Sequence, residues 1–484
     1  MILGITSQNH DASMALIDGT DILWAGHAER YSRNKNDQLL NNSMLEEMKT
    51  YGNPTEIVWF ERPWFKNIRR LYAGQHPWKV NPTDQLKLLG LDHLPVTYIG
   101  HHKSHAAAGF YTSNFLDASV LVVDAIGEWE SVSIWNGNST GLKKYWSKKY
   151  PNSVGLFYTA FTDYLGLKPN EEEYILMGMA AFGKPVIAEY LKKEFFTKFE
   201  GPNFQLRHNL HRGCRWWSNE AGVSKFDIAA SVQAVMEEYL IETAKWIRKT
   251  LPSKNLVFMG GCALNCVANS RIATEAGFDN VWIMPNPGDA GSAVGAVAAY
   301  TEQHLNWKTP YLGTNIDRDL DIDGIVKDLL NGNVVAVANG RAEFGPRALG
   351  NRSLLCDPRG KDAKGKMNSL KKREEFRPFA PAILEEHAHT YFDMPVKTSP
   401  YMQFVARCRQ PDFTPGICHI DNTSRVQTVN WADNSNFHKI LSLWYEKTGC
   451  PMLMNTSLNI KGEPLVNSLE DAKRWEVINK VTVY

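Results

Sequence analysis

His101 and His105 stand four residues apart in His101-His102-Lys103-Ser104-His105. On a helix that spacing puts both imidazoles on one face, one turn apart, where they can hold one ion. Asp124 ends the apolar run Val122-Val123, and Asp289 lies in the Gly-rich turn Gly288-Asp289-Ala290-Gly291, so each offers a hard oxygen at the end of an element. Two nitrogens and two carboxylates suit Fe(II), Mn(II) or Zn(II) better than Ca(II). By itself a His-x-x-x-His pair also arises in packed helices, with one ring capping and the other filling space.

A second chemistry sits nearer the C-terminus. Arg341, Arg347 and Arg352 fall in the Gly/Pro-rich stretch Gly340-Arg341-Ala342-Glu343-Phe344-Gly345-Pro346-Arg347-Ala348-Leu349-Gly350-Asn351-Arg352-Ser353. Lys371-Lys372-Arg373 precedes Arg377-Pro378-Phe379, and Arg425 follows in Ser424-Arg425-Val426-Gln427. Arginines fixed in turns grip phosphate or carboxylate bidentately. Asn455-Thr456-Ser457 follows an apolar strand, which sets amide and hydroxyl donors at a strand end. Together these residues describe a pocket for a small, highly charged phosphorylated compound. The competing reading is a solvated charge run, and it fits Lys371-Lys372-Arg373 better than arginines flanked by turn formers and aromatics.

Near the N-terminus, His10-Asp11 lies in a small polar loop, and Glu29-Arg30-Tyr31-Ser32-Arg33-Asn34-Lys35 follows a strand. His10 is a candidate base or donor, and Lys35 a candidate for neutralising phosphate charge that develops during transfer. Cys262-x-x-x-Cys266 has metal-like spacing, but small apolar neighbours point to core packing. His208-x-x-His211-x-x-Cys214 lacks a fourth ligand and reads, with Trp216-Trp217, as a loop with aromatic packing.

These groups need elements to hold them. Residues 2–6 and 13–17 read as strands around the polar loop 7–11. The pattern recurs with 120–123 and 131–135 around the acidic loop 124–128. Two such hairpins suggest a duplicated fold whose loops face one cleft. Lys225–Thr250 has helical periodicity, and strand 256–259 runs into Gly260-Gly261. A strand, a Gly-Gly turn and a helix let backbone approach a phosphate or nucleoside. A small-residue helix, 293–300, follows the Asp289 turn. Residues 308–317 are polar, contain Pro310 and Gly313, and read as a linker. A domain boundary is therefore expected near 315, giving parts 1–315 and 316–484, the second opening with strand 334–338.

At 484 residues the chain exceeds one ordinary core. Its apolar fraction of 43% and charged fraction of 22% are those of a soluble globular protein. A net charge of +1 without a basic half argues against nucleic acid as the main partner. Seven cysteines without a disulfide pattern, no leader-like opening and no long apolar run point to the reducing cytoplasm and away from a membrane.

Nearly end to end, the chain resembles the O-carbamoyltransferases of antibiotic and nodulation-factor biosynthesis (NodU/CmcH type). The resemblance rests on His10-Asp11-Ala12-Ser13, Glu29-Arg30-x-Ser32-Arg33-x-Lys35, His101-x-x-x-His105-Ala106-Ala107 and Met177-Gly178-Met179-Ala180. It continues through Gly288-Asp289-Ala290-Gly291-Ser292, Gly345-Pro346-Arg347-Ala348-Leu349-Gly350, Arg377-Pro378-Phe379-Ala380-Pro381 and Asn455-Thr456-Ser457-x-Asn459-x-Lys461-Gly462-Glu463-Pro464. It implies an α/β chain: a duplicated, actin-like, ribonuclease-H-type domain over 1–315 and a YrdC-like α/β domain over 316–484. The second would turn carbamoyl phosphate and ATP, with Mg(II), into carbamoyl adenylate. The first would pass the carbamoyl group to an acceptor hydroxyl at a divalent metal, Fe(II) before Mn(II).

The resemblance further implies His101, His105, Asp124 and Asp289 as metal ligands, with His10 and Lys35 acting at the transfer site. Gly260, Gly261 and Asn265 would approach nucleotide there. Arg347, Lys371, Arg377, Arg425 and Ser457 would hold carbamoyl phosphate and ATP, and Arg352 and Asn455 belong to the same stretches. Partners are then a small-molecule hydroxyl acceptor, carbamoyl phosphate and ATP, with no membrane and no nucleic acid polymer. A homodimer is admitted but not required. The chain departs from the family pattern at Ala125, where Gly is usual, at Ile175, where a basic residue is common, and at Asp421-Asn422, where Asp-Gly is usual. It is shorter than many relatives, chiefly at its C-terminus, which suits a small acceptor: a sugar, an antibiotic scaffold or a hydroxymethylpyrimidine nucleotide. The alternatives are a tRNA threonylcarbamoyl-type transferase, opposed by the absence of a basic stripe, and a non-catalytic actin-like ATP-binding module, opposed by the second arginine set.

Overall fold

The computed structural model describes residues 1–76, 81–219, 222–360, 362–374 and 376–484. The chain is mixed α/β and divides into two compact units: Met1–Ala28 with Asn36–Trp307, and Glu29–Lys35 with Lys308–Tyr484.

The first unit carries two five-stranded sheets with the same plan. In the first sheet, Ile2–Thr6 pairs antiparallel with Ser13–Asp18, which pairs antiparallel with Asp21–His27. On its other side Ile2–Thr6 runs parallel to Glu56–Trp59, and that strand to Val96–Tyr98. In the second sheet, Ala118–Gly127 takes the place of Ile2–Thr6. Glu130–Asn138 and Gly141–Lys149 follow antiparallel, and Asn255–Met259 and Asn280–Trp282 parallel. The duplication expected from the two hairpins is thus present. The acidic loop 124–128 is shorter than expected: the strand runs on to Gly127, with its register broken between Val123 and Gly127.

Each sheet is followed by a helix that the site depends on. His101–Thr112 follows Val96–Tyr98, and Ser292–Thr301 comes soon after Asn280–Trp282. The two helices cross closely. A Cβ on Gly295 would lie 2.0 Å from the Ser104 carbonyl oxygen, so only glycine permits this approach. The small residues of 293–300 therefore serve a helix–helix contact as well as the sheet. Lys225–Thr250 is one helix, N-capped by the Ser224 hydroxyl.

The second unit is built on a sheet ordered Val335–Ala338, Arg352–Cys356, Met452–Ser457, Ala380–Leu384 and Gln427–Val429. Alternation along these strands feeds two cores, as a period of two demands. Val335, Val337, Leu355 and Leu453 pack with Ile325, Leu329, Phe437 and Trp444 on one face. Ala336, Leu354, Met452 and Met454 pack with Met367, Ala388 and Trp475 on the other. The expected linker 308–317 is not a linker. It holds the strand Tyr311–Ile316, antiparallel to Gly340–Glu343, and falls in the compact unit that includes Lys308–Tyr484. No helix among the described residues is long and apolar enough to cross a membrane.

Candidate active site

In the first unit, His101, His105, Asp124 and Asp289 converge: one ligand atom from each lies within 4.8 Å of all the others, and all four residues are buried. The helix contributes both histidines from its first turns, the bulged strand contributes Asp124, and the turn before Ser292–Thr301 contributes Asp289. Nε2 of His101 and Nε2 of His105 are 3.1 Å apart. Each lies 3.2–3.3 Å from Asp124 Oδ2 and Asp289 Oδ1. The outer nitrogens are oriented from behind. Nδ1 of His105 is 3.2 Å from the Ser292 hydroxyl, and Nδ1 of His101 faces Glu61 Oε2 at 3.6 Å. Glu61 is itself buried and paired with Lys66 at 2.6 Å. A ring held by Nδ1 with Nε2 turned inward, as His105 is, has the arrangement in which imidazoles ligate metals. The donor set fits a borderline divalent cation.

The charges of the cluster are interdependent. Burial opposes ionisation of Asp124, but the N–H groups of His101 and His105 outweigh it and hold the carboxyl well below the usual range. Asp289 is likewise held low against burial by the His101 and His10 charges. His102, between the two ligands, faces away: its Nδ1 lies 2.8 Å from the Ser133 hydroxyl, and burial pushes its pKa down to about 3.

The first hairpin loop meets the same cluster. Asn9 Nδ2 donates to Asp289 Oδ2 at 2.6 Å, and His10 Nε2 is 3.9 Å from that oxygen. His10 Nδ1 and Asp11 Oδ2 are 2.9 Å apart. Burial alone would lower the His10 pKa, but Asp289 and then Asp11 raise it to about 10. Gly260 has φ +91°, and a Cβ there would lie 2.3 Å from the Val123 carbonyl, which ties the Gly-Gly turn to the strand bearing Asp124. Asn265 is committed as a helix N-cap: its Oδ1 accepts from Ala268 N, and its amide exchanges two 3.0 Å bonds with Gln233.

In the second unit, Lys371 ends the helix Ala363–Lys371, and its Nζ donates to the Ser457 carbonyl, the Ser457 hydroxyl at 2.9 Å and Asn459 Oδ1 at 2.6 Å. Burial first, then the charges of Arg373, Arg377 and Lys35, drive the Lys371 pKa well below the ordinary lysine value. Arg377 is 3.4 Å from Glu374, while Arg347 and Arg425 are half-buried on their own segments. Lys35, expected beside His10, belongs with the second unit.

The strap Glu29–Lys35 explains its own arginines. Arg30 donates to the Glu343 and Gly345 carbonyls, and Arg33 to the Pro464 and Leu465 carbonyls. They brace the loops that begin at Gly345 and end at Pro464. Two of the expected pocket residues have all their described bonds inside the second unit. Arg352 is 0% exposed, and its guanidinium donates to the carbonyls of Thr314, Asn339, Gly340, Asn351 and Asn467. Asn455 is also buried, its amide spent on the Ala348 carbonyl and Gln427 Oε1.

Sequence reasoning missed several supports. Glu343 is buried and accepts the backbone N–H groups of Leu349, Asn351 and Arg352 at 2.7–3.2 Å, fixing the loop that carries Arg347. Its place beside the Gly-Pro-Arg stretch was the available signal. Asn9 and Ser292 adjoin motif residues, but nothing local marks Glu61 or Lys66. Cys266 is a buried free thiol and Cys262 a half-buried one, and His208 packs against Trp216 at 4.7 Å.

Comparison with known proteins agrees over both units. The family model described as Carbamoyltransferase N-terminus matches residues 68–298, and that described as Carbamoyltransferase C-terminus matches 326–483. The chain is 33% identical to an uncharacterised protein of Synechocystis, over 98% of this chain and 93% of that one. It is 33% identical to the nodulation protein NolO of Bradyrhizobium diazoefficiens, over 77% of this chain and 75% of that one. It is 27% identical to the 3'-hydroxymethylcephem-O-carbamoyltransferase of Streptomyces clavuligerus, over all of this chain and 98% of that one. With both halves matched, the chain belongs to the carbamoyltransferase family, as an enzyme of the NodU/CmcH type that transfers carbamoyl groups.

Proposed function

We propose that the protein is an ATP-dependent O-carbamoyltransferase whose second unit makes carbamoyl adenylate and whose first unit transfers the carbamoyl group to a small-molecule hydroxyl. The observation that carries this is the crowding of cations around Lys371. Burial first, then Arg373, Arg377 and Lys35, depress its pKa, a cost in the free protein that several phosphate charges would repay.

Hydrolysis of carbamoyl phosphate yields carbamate and phosphate. A carbamate oxygen then attacks the α-phosphorus of ATP, forming the mixed anhydride and releasing pyrophosphate, with Mg(II) accompanying the nucleotide. Arg347, Lys371, Arg377, Arg425 and Ser457 hold these anions, while Arg352 and Asn455 keep the loop geometry. Lys35 acts on the same anions, in keeping with its electrostatic effect on Lys371.

In the first unit, His101, His105, Asp124 and Asp289 would hold a divalent ion, Fe(II) or Mn(II), which supplies Lewis-acid polarisation of the carbonyl when bound. Gly260 and Gly261 let backbone approach the nucleotide, and the Asn265 cap shapes the following helix. His10 is half-buried, so it can reach a ligand as well as Asp289. A cation held by Asp289 would weaken that carboxylate's hold on the His10 proton, and the ring would then accept the acceptor's hydroxyl proton. The acceptor oxygen bonds to the carbonyl carbon, and AMP leaves with the anhydride electron pair. Two sheets of identical strand order support an actin-like, ribonuclease-H-type first unit, and we assign the second to the YrdC-like class. The acceptor class is a sugar, an antibiotic scaffold or a hydroxymethylpyrimidine nucleotide. Incubation of each with ATP, carbamoyl phosphate and Fe(II) or Mn(II) should add a carbamoyl mass to one of them. ATP cleavage that does not depend on carbamoyl phosphate would refute the reading.

A further inference from the structure

The helix Pro63–Tyr72 is amphipathic the wrong way round. Its buried side carries Lys66 and Arg69: Lys66 pairs with Glu61 at 2.6 Å, and Arg69 Nε donates to the Glu128 carbonyl at 3.2 Å. Its outer side carries Trp64, Phe65, Ile68, Leu71 and Tyr72, with Trp64 50%, Ile68 57%, Leu71 65% and Tyr72 70% exposed. Positions 64, 68 and 71, and 65, 68 and 72, follow helical spacing, so the five side chains form one stripe. Every exposed side chain of this helix is apolar or aromatic, with Asn67 and Arg70 half-buried. Aromatic neighbours widen the stripe, with Tyr98 5.4 Å from Trp64 and Trp129 5.5 Å from Tyr72.

We propose that this stripe is the isologous interface of a homodimer, the helix packing against the same helix of a second copy. The one cation over the stripe, Arg62 at 4.4 Å from the Phe65 ring, is paired with Glu128 at 2.6 Å; such a face selects an apolar partner face, and the chain itself supplies one by two-fold symmetry. At these exposures the five side chains leave roughly 500–600 Å² of apolar surface in water. That is at the top of what a monomer ordinarily leaves uncovered, about 300–600 Å². It also provides most of the ~800 Å² that each partner contributes to a standard interface, with polar residues as the rim. A lipid surface is a poorer occupant. Membrane-lying helices carry free Lys and Arg along the outer flank, whereas here Lys66 and Arg69 are turned inward and partnered, and Arg70, at the edge, donates to the His76 carbonyl at 2.9 Å.

The test is sedimentation equilibrium of the full chain beside Ile68→Asp and Leu71→Asp, with circular dichroism of each. Twice the chain mass is expected for the wild type in the micromolar range, and the single mass for both variants with unchanged spectra. Ile68→Cys, oxidised in air, is expected to give a reducible cross-linked dimer, because the native thiols are buried or half-buried. Three results would each overturn the proposal: a monomeric wild type throughout that range, a dimer that survives both aspartates, or no cross-link from Ile68→Cys. A monomer that sediments with phosphatidylserine vesicles would likewise replace it with a lipid-binding face.

Discussion

Replacing Arg352 by Met separates a structural arginine from a ligand-binding one. The guanidinium is wholly buried and reaches five backbone carbonyls on four segments of the second unit. Some of these keep another donor: the Asn351 carbonyl also accepts Asn339 N at 3.1 Å. If two are left dry and unpaired at roughly 1–3 kcal/mol each, the loss centres on about 4 kcal/mol. For a unit of fewer than two hundred residues, that lowers Tm by roughly 8–16 °C. Calorimetry of the full chain should show the transition of the second unit shifted by this amount. Titration with carbamoyl phosphate well below the new Tm should show affinity within a few-fold of wild type. An unchanged Tm with abolished affinity would refute the argument and return Arg352 to the pocket.

His105→Ala is expected to leave the fold intact and to cut bound Fe(II) or Mn(II) from one per chain to none, read by elemental analysis after dialysis. Gly295→Val should drive the two site helices apart, since even a Cβ would meet the Ser104 carbonyl at 2.0 Å; we expect Tm to fall and metal retention to fail together. Arg377→Ala should abolish pyrophosphate release while nucleotide binding by the first unit persists, measurable by titration with an ATP analogue. Lys371 gives a pH signature. Because its folded pKa lies below the unfolded value, the penalty for keeping it charged is complete below the folded pKa. That penalty is relieved as pH rises towards the unfolded value, so stability climbs through this window. Phosphate restores the charged form, so binding there should take up protons and weaken with rising pH. Calorimetry in buffers of different ionisation enthalpy would register the uptake, and Lys371→Arg should remove it.

The chemistry of this chain was more legible than its connectivity. The four-residue histidine spacing placed two rings on one helix face because a helix turn is a local property. The paired hairpins announced the duplicated sheets for the same reason. Asn422 adopts φ +59°, the conformation expected of Asn where Gly is usual. Long-range facts were hidden. Nothing in Glu29–Lys35 says that it straps the second unit, because its arginines bind carbonyls more than three hundred residues away. Arg352 and Arg347 look alike in sequence, and only burial separates a strut from a candidate grip. Polar residues 308–317 hid a strand because pairing with Gly340–Glu343, not composition, makes it one. The reversed helix Pro63–Tyr72 was missed because periodicity reports an apolar stripe without saying which way it faces.

The most direct test is pyrophosphate and AMP release from ATP, with and without carbamoyl phosphate, in the presence of Fe(II) or Mn(II) and an acceptor. The account requires both products to form only when carbamoyl phosphate is present. Release of ADP and phosphate instead, or no turnover with any metal and acceptor, would contradict it.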